Sequence, residues 1–570
     1  MTPFAWSLPH DVNQHVAGIA KELRALGHQV TVLAPSGRPA DLAAGRRALA
    51  RGEDAETIAV GPSVPVSRRS SLGVPVGVRA NLRLALERGR FDVVHGFEPG
   101  MPSISYLALR DSEALAVASF FSAERMGYPP RRALREKLLA RIDVLLASSE
   151  TTAAAAAERF PGDYRIVSPG VDVELFRPGA KRQLVVIELH SGSLPVARAA
   201  LRSLKELPDW EAVLLRTKPL STRPGIPLSL RDRVRVRSGR TAESRAAFLA
   251  DATIVVPAPT GSVRLRLEAA AAGAALADPP GVLEQPELAA AALQRLAEDD
   301  ELRERKGREG RAAAEAQSFA VVARELEQVY GGLGGRKRPR RRGAEPLSDR
   351  PWILADLHMH TSWSHDCSIE VDELLDHAEA EGLGAIAITD HNVFGGALEA
   401  VEKARGRELI VIPGEEVKTD DQGEVIGLFL REEIPRGMTF EDTVAAIREQ
   451  EGIVYLPHPF DRMHAIPFPA TLHRHLHELD VLEVYNARLL FEGYNDEALR
   501  FARKYGLPAG AGSDAHVLQG VGTGALRMRA FDGPEEFMLS LRTAEVLRRP
   551  KSLAYLQSLK WVAQVKEKVR

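Results

Sequence analysis

Residues 356–367 read Asp-Leu-His-Met-His-Thr-Ser-Trp-Ser-His-Asp-Cys, and they follow a short apolar run, residues 352–355, that predicts the end of a β-strand. Side chains two apart on a strand point to the same face, so we expect His358 and His360 to project together. Asp366, a short loop later, can add a carboxylate. This mixture of nitrogen and oxygen ligands is one that divalent transition metals accept. A His-x-His pair alone is equally consistent with a structural pair.

Four further groups of histidine and acidic residues stand at the ends of apolar runs in the same half of the chain. Polar residues gathered at the carboxyl ends of successive strands are how α/β barrels build active sites. Of the 16 histidines, 11 lie after residue 350, so we place the metal chemistry in the C-terminal part. The four groups are Gly384-Ala-Ile-Ala-Ile-Thr-Asp-His391, Leu409-Ile-Val-Ile-Pro-Gly-Glu-Glu416, Ile453-Val-Tyr-Leu-Pro-His458 and Gly512-Ser-Asp-Ala-His516.

The ordered series of these motifs resembles the polymerase and histidinol phosphatase (PHP) family of metal-dependent phosphoesterases, over about residues 351–550. The resemblance implies an irregular seven-fold α/β barrel and two or three divalent ions, of Mn, Zn or Fe. Glu416 is expected to bridge two ions, with Glu415 as the alternative. The implied metal ligands are His358, His360, Asp366, His391, Glu416, His458, Asp514 and His516.

One ligand of the family is replaced in this chain. Many members have a histidine shortly after the Gly-x-Glu motif, where this sequence has Ile426. The third ion is therefore open: either it is weakly held, or Glu424 takes the place of the histidine.

Substrate contacts are expected beside these ligands. Arg462 is the first choice, because a guanidinium presents a rigid donor fork that suits phosphate oxygens. The other candidates for binding the substrate are His464, Lys418, Asn486 and Arg488. We assign catalytic roles to Asp366, His391, His458 and Arg462, and either His391 or His458 could protonate the leaving alkoxide.

The composition excludes several classes of protein. The 570 residues are 45% hydrophobic and 27% charged with a net charge of −2, which is unlike a disordered, membrane-spanning or nucleic-acid-coating chain. The sequence shows neither a run of ~18 apolar residues nor a signal peptide at its start, so we expect a cytoplasmic protein with no membrane partner. Cys367, the only cysteine, cannot form an internal disulfide. The oligomeric state is not indicated.

The N-terminal half alternates helical and strand-like segments, which predicts doubly wound parallel sheets. A helix over residues 12–27 leads into the strand that ends at Pro35. Further strands are predicted at residues 91–97, 114–121, 143–149 and 164–172, then at 184–189, 211–217, 233–238 and 252–257, before a helical, charged stretch at 286–330.

Several segments of this half resemble the GT-B glycosyltransferases of the family 4 type, which are retaining enzymes with nucleotide-sugar donors. The resemblance covers about residues 1–330 and implies two Rossmann-like domains in the GT-B arrangement. It is carried by Gly27-His-Gln-Val-Thr-Val-Leu-Ala-Pro35, Phe91-Asp-Val-Val-His-Gly-Phe-Glu-Pro99, Leu145-Leu-Ala-Ser-Ser-Glu150, Val167-Ser-Pro-Gly-Val-Asp-Val-Glu-Leu-Phe-Arg-Pro178 and Leu267-Glu-Ala-Ala-Ala-Ala-Gly273.

The expected donor site departs from that family in three places. The first loop, residues 10–15, lacks the glycine pair that approaches the donor phosphates. Residues 188–196 contain neither the Arg nor the Lys expected there, although Arg198 and Lys205 lie farther along. Of the pair of glutamates only Glu268 is present, because Thr260 stands in the first position. The chain also opens where the family has finished its first strand, so we expect that strand to be absent or encoded upstream.

These observations predict an α/β protein with four segments. They are residues 1–178 and 179–330, the two Rossmann-like domains; 331–350, a glycine-rich and basic linker; and 351–570, the PHP domain. The predicted function is hydrolysis of a phosphomonoester or nucleotide phosphodiester, with a degenerate glycosyltransferase-like module.

Two alternatives stay open. One is a bifunctional protein whose glycosyltransferase half is active, and the other is a non-catalytic regulator that binds metabolites. The expected partner is a small phosphorylated metabolite or nucleotide. An extended nucleic acid is not expected, because the C-terminal domain lacks a stripe of aromatic and basic residues along which a strand could lie.

Overall fold

The structure, a computed structural model, describes residues 1–65, 71–73, 78–217, 225–259, 263–338, 347–420 and 422–549. The chain divides into two compact units. The first consists of Met1–Asp111, Ala116–Arg135 and Val144–Gly332, and the second of Ser112–Leu115, Glu136–Asp143 and Leu333–Arg570. None of the helices within the described ranges is both long enough and apolar enough to cross a membrane.

The N-terminal half contains twelve strands and twelve helices among its described residues. The strands are β1 Val32–Ser36, β2 Thr57–Pro65, β3 Ser71–Gly73, β4 Val93–Phe97, β5 Leu115–Phe120, β6 Val144–Ala147, β7 Tyr164–Ile166, β8 Arg182–Leu189, β9 Glu211–Arg216, β10 Val234–Ser238, β11 Ala252–Val256 and β12 Ala275–Leu276. The helices are α1 Asp11–Ala25, α2 Pro39–Arg51, α3 Arg79–Gly89, α4 Ile104–Asp111, α5 Arg132–Leu139, α6 Glu150–Ala157, α7 Leu194–Ser203, α8 Ala242–Leu249, α9 Arg264–Ala271, α10 Glu287–Glu298, α11 Asp300–Glu315 and α12 Phe319–Gly331.

The strands of this half form three sheets with the orders β1-β2-β3, β4-β5-β6-β7 and β10-β9-β8-β11-β12. The last sheet is wholly parallel, with apolar residues buried on both faces, so the predicted Rossmann-like winding is confirmed. Among the described residues no strand precedes β1, and the opening residues contact two strands through their backbone. The Thr2 amide donates to Leu33 O on β1 and the Phe97 amide of β4 donates to Met1 O, so the opening residues lie between these two strands.

The C-terminal half contains nine strands and six helices among its described residues. The strands are β13 Trp352–Met359, β14 Ala385–Ile388, β15 Ile410–Lys418, β16 Glu424–Leu428, β17 Ile453–Leu456, β18 Val481–Asn486, β19 Ala509–Gly512, β20 Gly524–Arg529 and β21 Glu545–Arg548. The helices are α13 Val371–Ala380, α14 Gly395–Lys403, α15 Phe440–Glu449, α16 Pro469–Arg474, α17 Glu492–Tyr505 and α18 Gly533–Ser540.

These nine strands form one sheet in the order β19-β18-β17-β16-β15-β14-β13-β20-β21. The sheet curls into a nearly closed barrel, because the residues after β19 hydrogen-bond to the end of β13. The Asp514 amide donates to His358 O at 2.8 Å, and the His360 amide donates to Ala515 O at 3.2 Å. The barrel is irregular because β16 and β20 run antiparallel to their neighbours, and the predicted fold class is confirmed.

A buried aspartate fixes this closure. Asp356 is fully buried, and its two carboxylate oxygens accept the amides of Ser513 at 2.9 Å and Gly522 at 3.0 Å. Both amides belong to the segment between β19 and β20, which lacks a regular ladder of its own. Because a buried amide without an acceptor costs free energy, Asp356 stabilises the path of this segment.

The barrel also depends on a close approach of two backbones. A Cβ added to Gly524, at the start of β20, would lie 2.1 Å from the carbonyl oxygen of Gly512 at the end of β19. We therefore expect Gly524→Ala to lower the free energy of unfolding by about 1–3 kcal/mol through overpacking. Gly493 in α17 has nothing within 4 Å of its added Cβ and is the matched control.

Differential scanning calorimetry of the full chain checks this prediction. Gly493→Ala should leave the melting temperature unchanged or raise it, since alanine is the better helix former by about 1 kcal/mol. Equal melting temperatures for Gly524→Ala and the unchanged chain would show that the approach of β19 and β20 is looser than described.

Candidate metal centre

The predicted ligands meet at the carboxyl-terminal end of the barrel strands. His358 and His360 come from the end of β13, and the others follow β14, β17 and β19 or lie within β15. Several groups of three residues have ligand atoms within 4.8 Å of one another. They are His360, His391 and His516; His358, His360 and Glu416; His358, His458 and Asp514; and His391, Glu416 and Glu424. Asp366 joins them, with Oδ2 lying 3.0 Å from His516 Nε2.

Glu416 lies in the middle of the cluster and is 1% exposed. Its Oε2 is 3.0 Å from His391 Nδ1 and 3.4 Å from His358 Nε2, while its Oε1 is 3.1 Å from His458 Nε2. A carboxylate whose two oxygens face different imidazoles is suited to bridging two ions. This is the role that the sequence resemblance implied for it.

Hydrogen bonds on the outer side of the rings fix which nitrogen faces the cluster. His358 Nδ1 lies 3.0 Å from Glu483 Oε1, and His516 Nδ1 lies 3.0 Å from the backbone oxygen of Asp514. Both partners can only accept, so each Nδ1 must carry the proton. The lone pair of Nε2 then points inward, as in histidines that bind metals.

Ser364 fixes His360 in the same way. Its hydroxyl donates to Asp390 Oδ1 at 2.7 Å and accepts from the His391 amide at 3.0 Å, so the contact with His360 Nδ1 at 3.3 Å must be a second accepted bond. Burial and the neighbouring His516 hold the pKa of His360 well below its usual range, so the ring is neutral.

The inward nitrogen of His360 provides a test of whether a metal fits. Nε2 is buried, and among the described residues it has no hydrogen-bond partner. It lies 3.5 Å from Asp514 Oδ1 and 3.6 Å from Glu416 Oε2. Two donors that share one ion at about 2.1 Å in tetrahedral geometry lie roughly 3.4 Å apart. These residues therefore fit divalent ions, and their spacing is too long for hydrogen bonds among themselves.

The charges of the cluster agree with this fit. Burial alone would raise the pKa of Glu416, but His358 and His391 hold it well below its usual range. Burial would lower the pKa of His391, but Glu416 and Asp366 outweigh burial and raise it to about 9. Without ions, the histidines would thus hold protons to balance the carboxylates. Divalent cations supply the same positive charge and displace those protons.

Two candidate ligands have unusual backbone conformations. His458 has φ 25° and Asp514 has φ 52°, and Asn392, next to His391, has φ 54°. Non-glycine residues with positive φ are uncommon and cluster at functional sites, where the surrounding structure holds them in place.

Strand register places Ile426 and Glu424 differently with respect to the cluster. Ile426 on β16 pairs with Glu416 on β15, and its side chain is buried in the barrel core. Glu424 lies two residues earlier, on the same face but nearer the mouth, and its Oε2 is 3.8 Å from His458 Nε2. Glu415 faces away, since its Oε2 accepts the Ile434 amide at 2.8 Å. Glu424 is thus the additional carboxylate of the cluster.

Two of the predicted substrate-binding residues contact the cluster directly. Arg488 Nη1 lies 3.0 Å from Asp514 Oδ1 and 3.3 Å from His516 Nε2. Asn486 Nδ2 donates to Asp514 Oδ2 at 3.2 Å and to Glu483 Oε2 at 3.1 Å. Asn486 is buried, so in this structure it positions Asp514 and Glu483.

The other three predicted residues lie farther out. Arg462 Nη1 is 3.3 Å from Oε2 of the buried Glu497, which is not one of the candidate ligands. The His464 ring is exposed, held by Asp461, with its centroid 6.1 Å from that of His458. Lys418 ends β15 with an exposed side chain. Arg488 is therefore better placed than Arg462 to meet a substrate at the cluster.

Sequence reasoning missed Glu483 and Ser364. Glu483 is fully buried and accepts from His358 Nδ1, Tyr455 Oη, the His458 amide and Asn486 Nδ2. The sequence does contain an indication of Glu483, because it is the one acidic residue in the otherwise uncharged strand Val481–Asn486. The sequence does not indicate Ser364, because its role depends on the fold, which brings the residues after β14 beside the loop that contains Ser364.

The expected donor site of the N-terminal half is occupied by internal contacts. Glu268 is buried, and Arg245 binds its two oxygens at 2.5 and 2.6 Å. Arg264 binds Asp11, the first residue of α1, and residues 12–15 lie within this helix, as the predicted helix over residues 12–27 requires. Glu188 accepts from Thr217 Oγ1 at 2.6 Å and from the Ala258 amide at 2.9 Å. Thr260 lies outside the described residues.

Family models match both halves of the chain. Residues 12–175 match Glycosyltransferase Family 4, residues 356–484 match the PHP domain, and residues 492–546 match the PHP-associated region. The chain thus belongs to the PHP family through its C-terminal half and carries a family 4 glycosyltransferase region in its N-terminal half.

Related proteins match each half separately. An uncharacterized protein of Methanocaldococcus jannaschii is 35% identical over 214 residues, 35% of this chain and 85% of that protein. The phosphatidyl-myo-inositol mannosyltransferase of Mycobacterium tuberculosis is 26% identical over 379 residues, 58% of this chain and 96% of that protein.

Solved structures show the same two likenesses. A glycosyltransferase of Rickettsia africae covers 56% of this chain and 94% of its own, with 13% identity and a TM-score of 0.40. A candidate metal-dependent phosphoesterase of Bifidobacterium adolescentis covers 29% of this chain and 87% of its own, with 18% identity and a TM-score of 0.25.

The position of Glu483 generates a test of the metal centre. Glu483→Gln replaces one acceptor oxygen by an amide that faces two donors, so it should misorient His358 and weaken ion binding about 10–100-fold. Competition with a chelating dye, using Mn²⁺ or Zn²⁺ and the full chain, measures the change.

Glu478 offers a matched control, because it forms the same kind of pair with a histidine, His475 Nδ1 at 2.8 Å, outside the cluster. Glu478→Gln should leave ion affinity unchanged. Equal affinities for both variants would mean that Glu483 does not support a metal ligand.

Proposed function

We propose that the C-terminal half hydrolyses a phosphate ester, a phosphomonoester or a nucleotide phosphodiester, with the help of two or three divalent ions of Mn, Zn or Fe. The observation that supports this most strongly is the buried, unpartnered Nε2 of His360 beside Asp514 and Glu416. The ions would be held by His358, His360, Asp366, His391, Glu416, Glu424, His458, Asp514 and His516. When bound, they would bring the pKa of a water towards neutrality and neutralise phosphoryl oxygens.

Arg488 supplies the protein's own cation for the phosphate. Its guanidinium is 29% exposed and lies beside Asp514, so it is fixed at the cluster yet accessible to a ligand. A positive charge that is already fixed where negative charge develops stabilises the transition state more than a charge that must be ordered during the reaction. Arg462 and Lys418 can contribute from farther out.

Proton transfer to the leaving oxygen needs a group that reaches the substrate. His391 is 16% exposed, whereas the side chains of His358, His360, His458 and His516 are exposed by 9% or less. We therefore favour His391 over His458 for this step, through a ring nitrogen that holds no ion, and Asp366 beside it for orienting the ring, with its Oδ1 3.8 Å from His391 Nε2.

The reaction should be measured on the full chain with a panel of small phosphate esters. We expect release of inorganic phosphate or a mononucleotide that Mn²⁺ stimulates and EDTA abolishes. Arg488→Ala should raise KM at least tenfold, because a charged hydrogen bond to phosphate contributes about 1.5–3 kcal/mol. Arg462→Ala should have the smaller effect. Phosphate release that survives EDTA and the loss of both His358 and His360 would refute the mechanism.

We further propose that the N-terminal half does not transfer sugar from a nucleotide donor at a normal rate. The buried ion pair of Arg245 and Glu268 supports this, because both oxygens of Glu268 are bound to Arg245 and its side chain is only 2% exposed. Stabilising a departing nucleotide diphosphate requires fixed positive charge or backbone donors, and the two arginines of this region, Arg245 and Arg264, are already bound to carboxylates of the chain.

Incubation of the full chain with common nucleotide sugars, including a mannosyl donor because of the mannosyltransferase relatives, tests this second proposal. We expect donor consumption no faster than in protein-free controls. Turnover that Glu268→Ala removes would establish the bifunctional alternative. Stoichiometric ions with hydrolysis of no ester and transfer of no sugar would favour a regulator that binds metabolites.

A further inference from the structure

The exposed apolar side chains of the barrel concentrate around the metal centre. Among residues 347–420 and 422–549, seven large apolar side chains are exposed, and five of them lie in segments that follow the carboxyl ends of β13, β17 and β18. The five are Trp363, Met463, Phe468, Leu490 and Phe491, exposed by 46%, 62%, 50%, 60% and 52%. Apolar surface that collects at one end of a barrel, beside candidate ligands, indicates a binding function.

Phe491 is part of an ordered aromatic and cationic group. Its ring packs edge-on against Tyr494, with ring centroids 5.7 Å apart. The guanidinium of Arg462 lies over the Tyr494 ring at 5.8 Å, and the buried carboxylate of Glu497 holds it there. Two different loops thus meet in this group, the one after His458 and the one after Arg488.

Hydrogen bonds connect this group rigidly to the metal centre. Asn495 on α17 accepts the Asn486 amide at 3.0 Å and donates to Asn486 O at 3.1 Å. The Asn486 side chain in turn donates to Asp514. Phe491 lies three residues after Arg488, so their Cα atoms are at most about 10 Å apart. A phosphate at Arg488 therefore brings its ester substituent close to Phe491.

We infer that Phe491, backed by Tyr494 and Arg462, binds the leaving group of the substrate, and that this leaving group is flat and aromatic. The inference rests on the proposed function and narrows its substrate class. A planar group gains from stacking on an exposed aromatic ring and from a guanidinium at the edge of the same surface.

Charge argues against a membrane as the occupant of this surface. Glu492 and Asp496, on the first turns of α17 beside Phe491, are both exposed. Anionic lipid attracts clusters of Lys and Arg and repels acids at such a position. A second copy of the chain is the remaining occupant, and the experiment below separates it from a substrate.

The test uses the full chain loaded with Mn²⁺ and two pairs of probes. Phenyl phosphate and glycerol phosphate measure hydrolysis, while phenylphosphonate and methylphosphonate, which are not esters, measure binding by calorimetry. The variants are Phe491→Ala, Phe491→Trp and, as control, Leu398→Ala, which removes an equally exposed apolar side chain of α14. Stacking on one aromatic ring predicts that Phe491→Ala weakens phenylphosphonate binding about tenfold.

We expect the unchanged chain, Phe491→Trp and Leu398→Ala to prefer the phenyl probes, and Phe491→Ala to lose that preference without a change for glycerol phosphate or methylphosphonate. A preference absent from the unchanged chain, or kept in Phe491→Ala, overturns the inference. The inference is also overturned if Phe491→Ala changes the oligomeric state in size-exclusion chromatography but keeps the preference for the phenyl probes. If no ester is hydrolysed yet phenylphosphonate binds through Phe491, the proposed reaction fails and the aromatic site stands.

Discussion

Buried negative charge needs compensation, and the C-terminal half of this protein is built around that requirement. Several carboxylates, including Glu416 and Asp514, are buried among five imidazoles at distances of 3.0–3.6 Å. The outer hydrogen bonds turn the lone pairs of three of these imidazoles towards the carboxylates. Without a metal cation, protons on the histidines have to balance this negative charge. Divalent ions would supply the same positive charge, so the electrostatics of the cluster agree with the metal site that its motifs predict.

The fold and the site are made by the same contacts. The barrel closes where the Asp514 amide meets His358 O and the His360 amide meets Ala515 O, so the backbones of four neighbouring residues hold the ring together at the ligands themselves. Asp356 stabilises this closure by accepting the backbone amides of Ser513 and Gly522. Because the candidate ligands lie where the barrel closes, they cannot move independently. Their geometry is therefore fixed before any ion binds. The positive φ of Asp514 is part of this arrangement, since its backbone has to turn from β19 towards β13.

The sequence alone predicts much of this arrangement, for a physical reason. Ligands at strand ends follow from the two-residue repeat of a strand and from the shared end of parallel strands, so the spacing of His358, His360 and the later motifs is enough to place them together.

The direction in which a long side chain points, and hence the partner that it contacts, does not follow from sequence spacing. Sequence position favours Arg462 over Arg488, but the side chain of Arg462 binds Glu497, a buried residue of a helix 35 positions later. The position of Glu424 beside His458 depends on the register of β15 and β16, which sequence spacing does not give. In the N-terminal half, the loss of donor-site residues is visible in the sequence, whereas the partner of Glu268 is not.

We propose that this chain is a metal enzyme by virtue of its C-terminal cluster. Elemental analysis of the full chain, purified without chelator, beside a variant with both His358 and His360 replaced by alanine, tests this. We expect two or three ions of Mn, Fe or Zn per chain in the first protein, and loss of the ions together with phosphate release in the second. A chain without stoichiometric transition metal that still hydrolyses phosphate esters, or a double variant that keeps its full complement of ions, would contradict it.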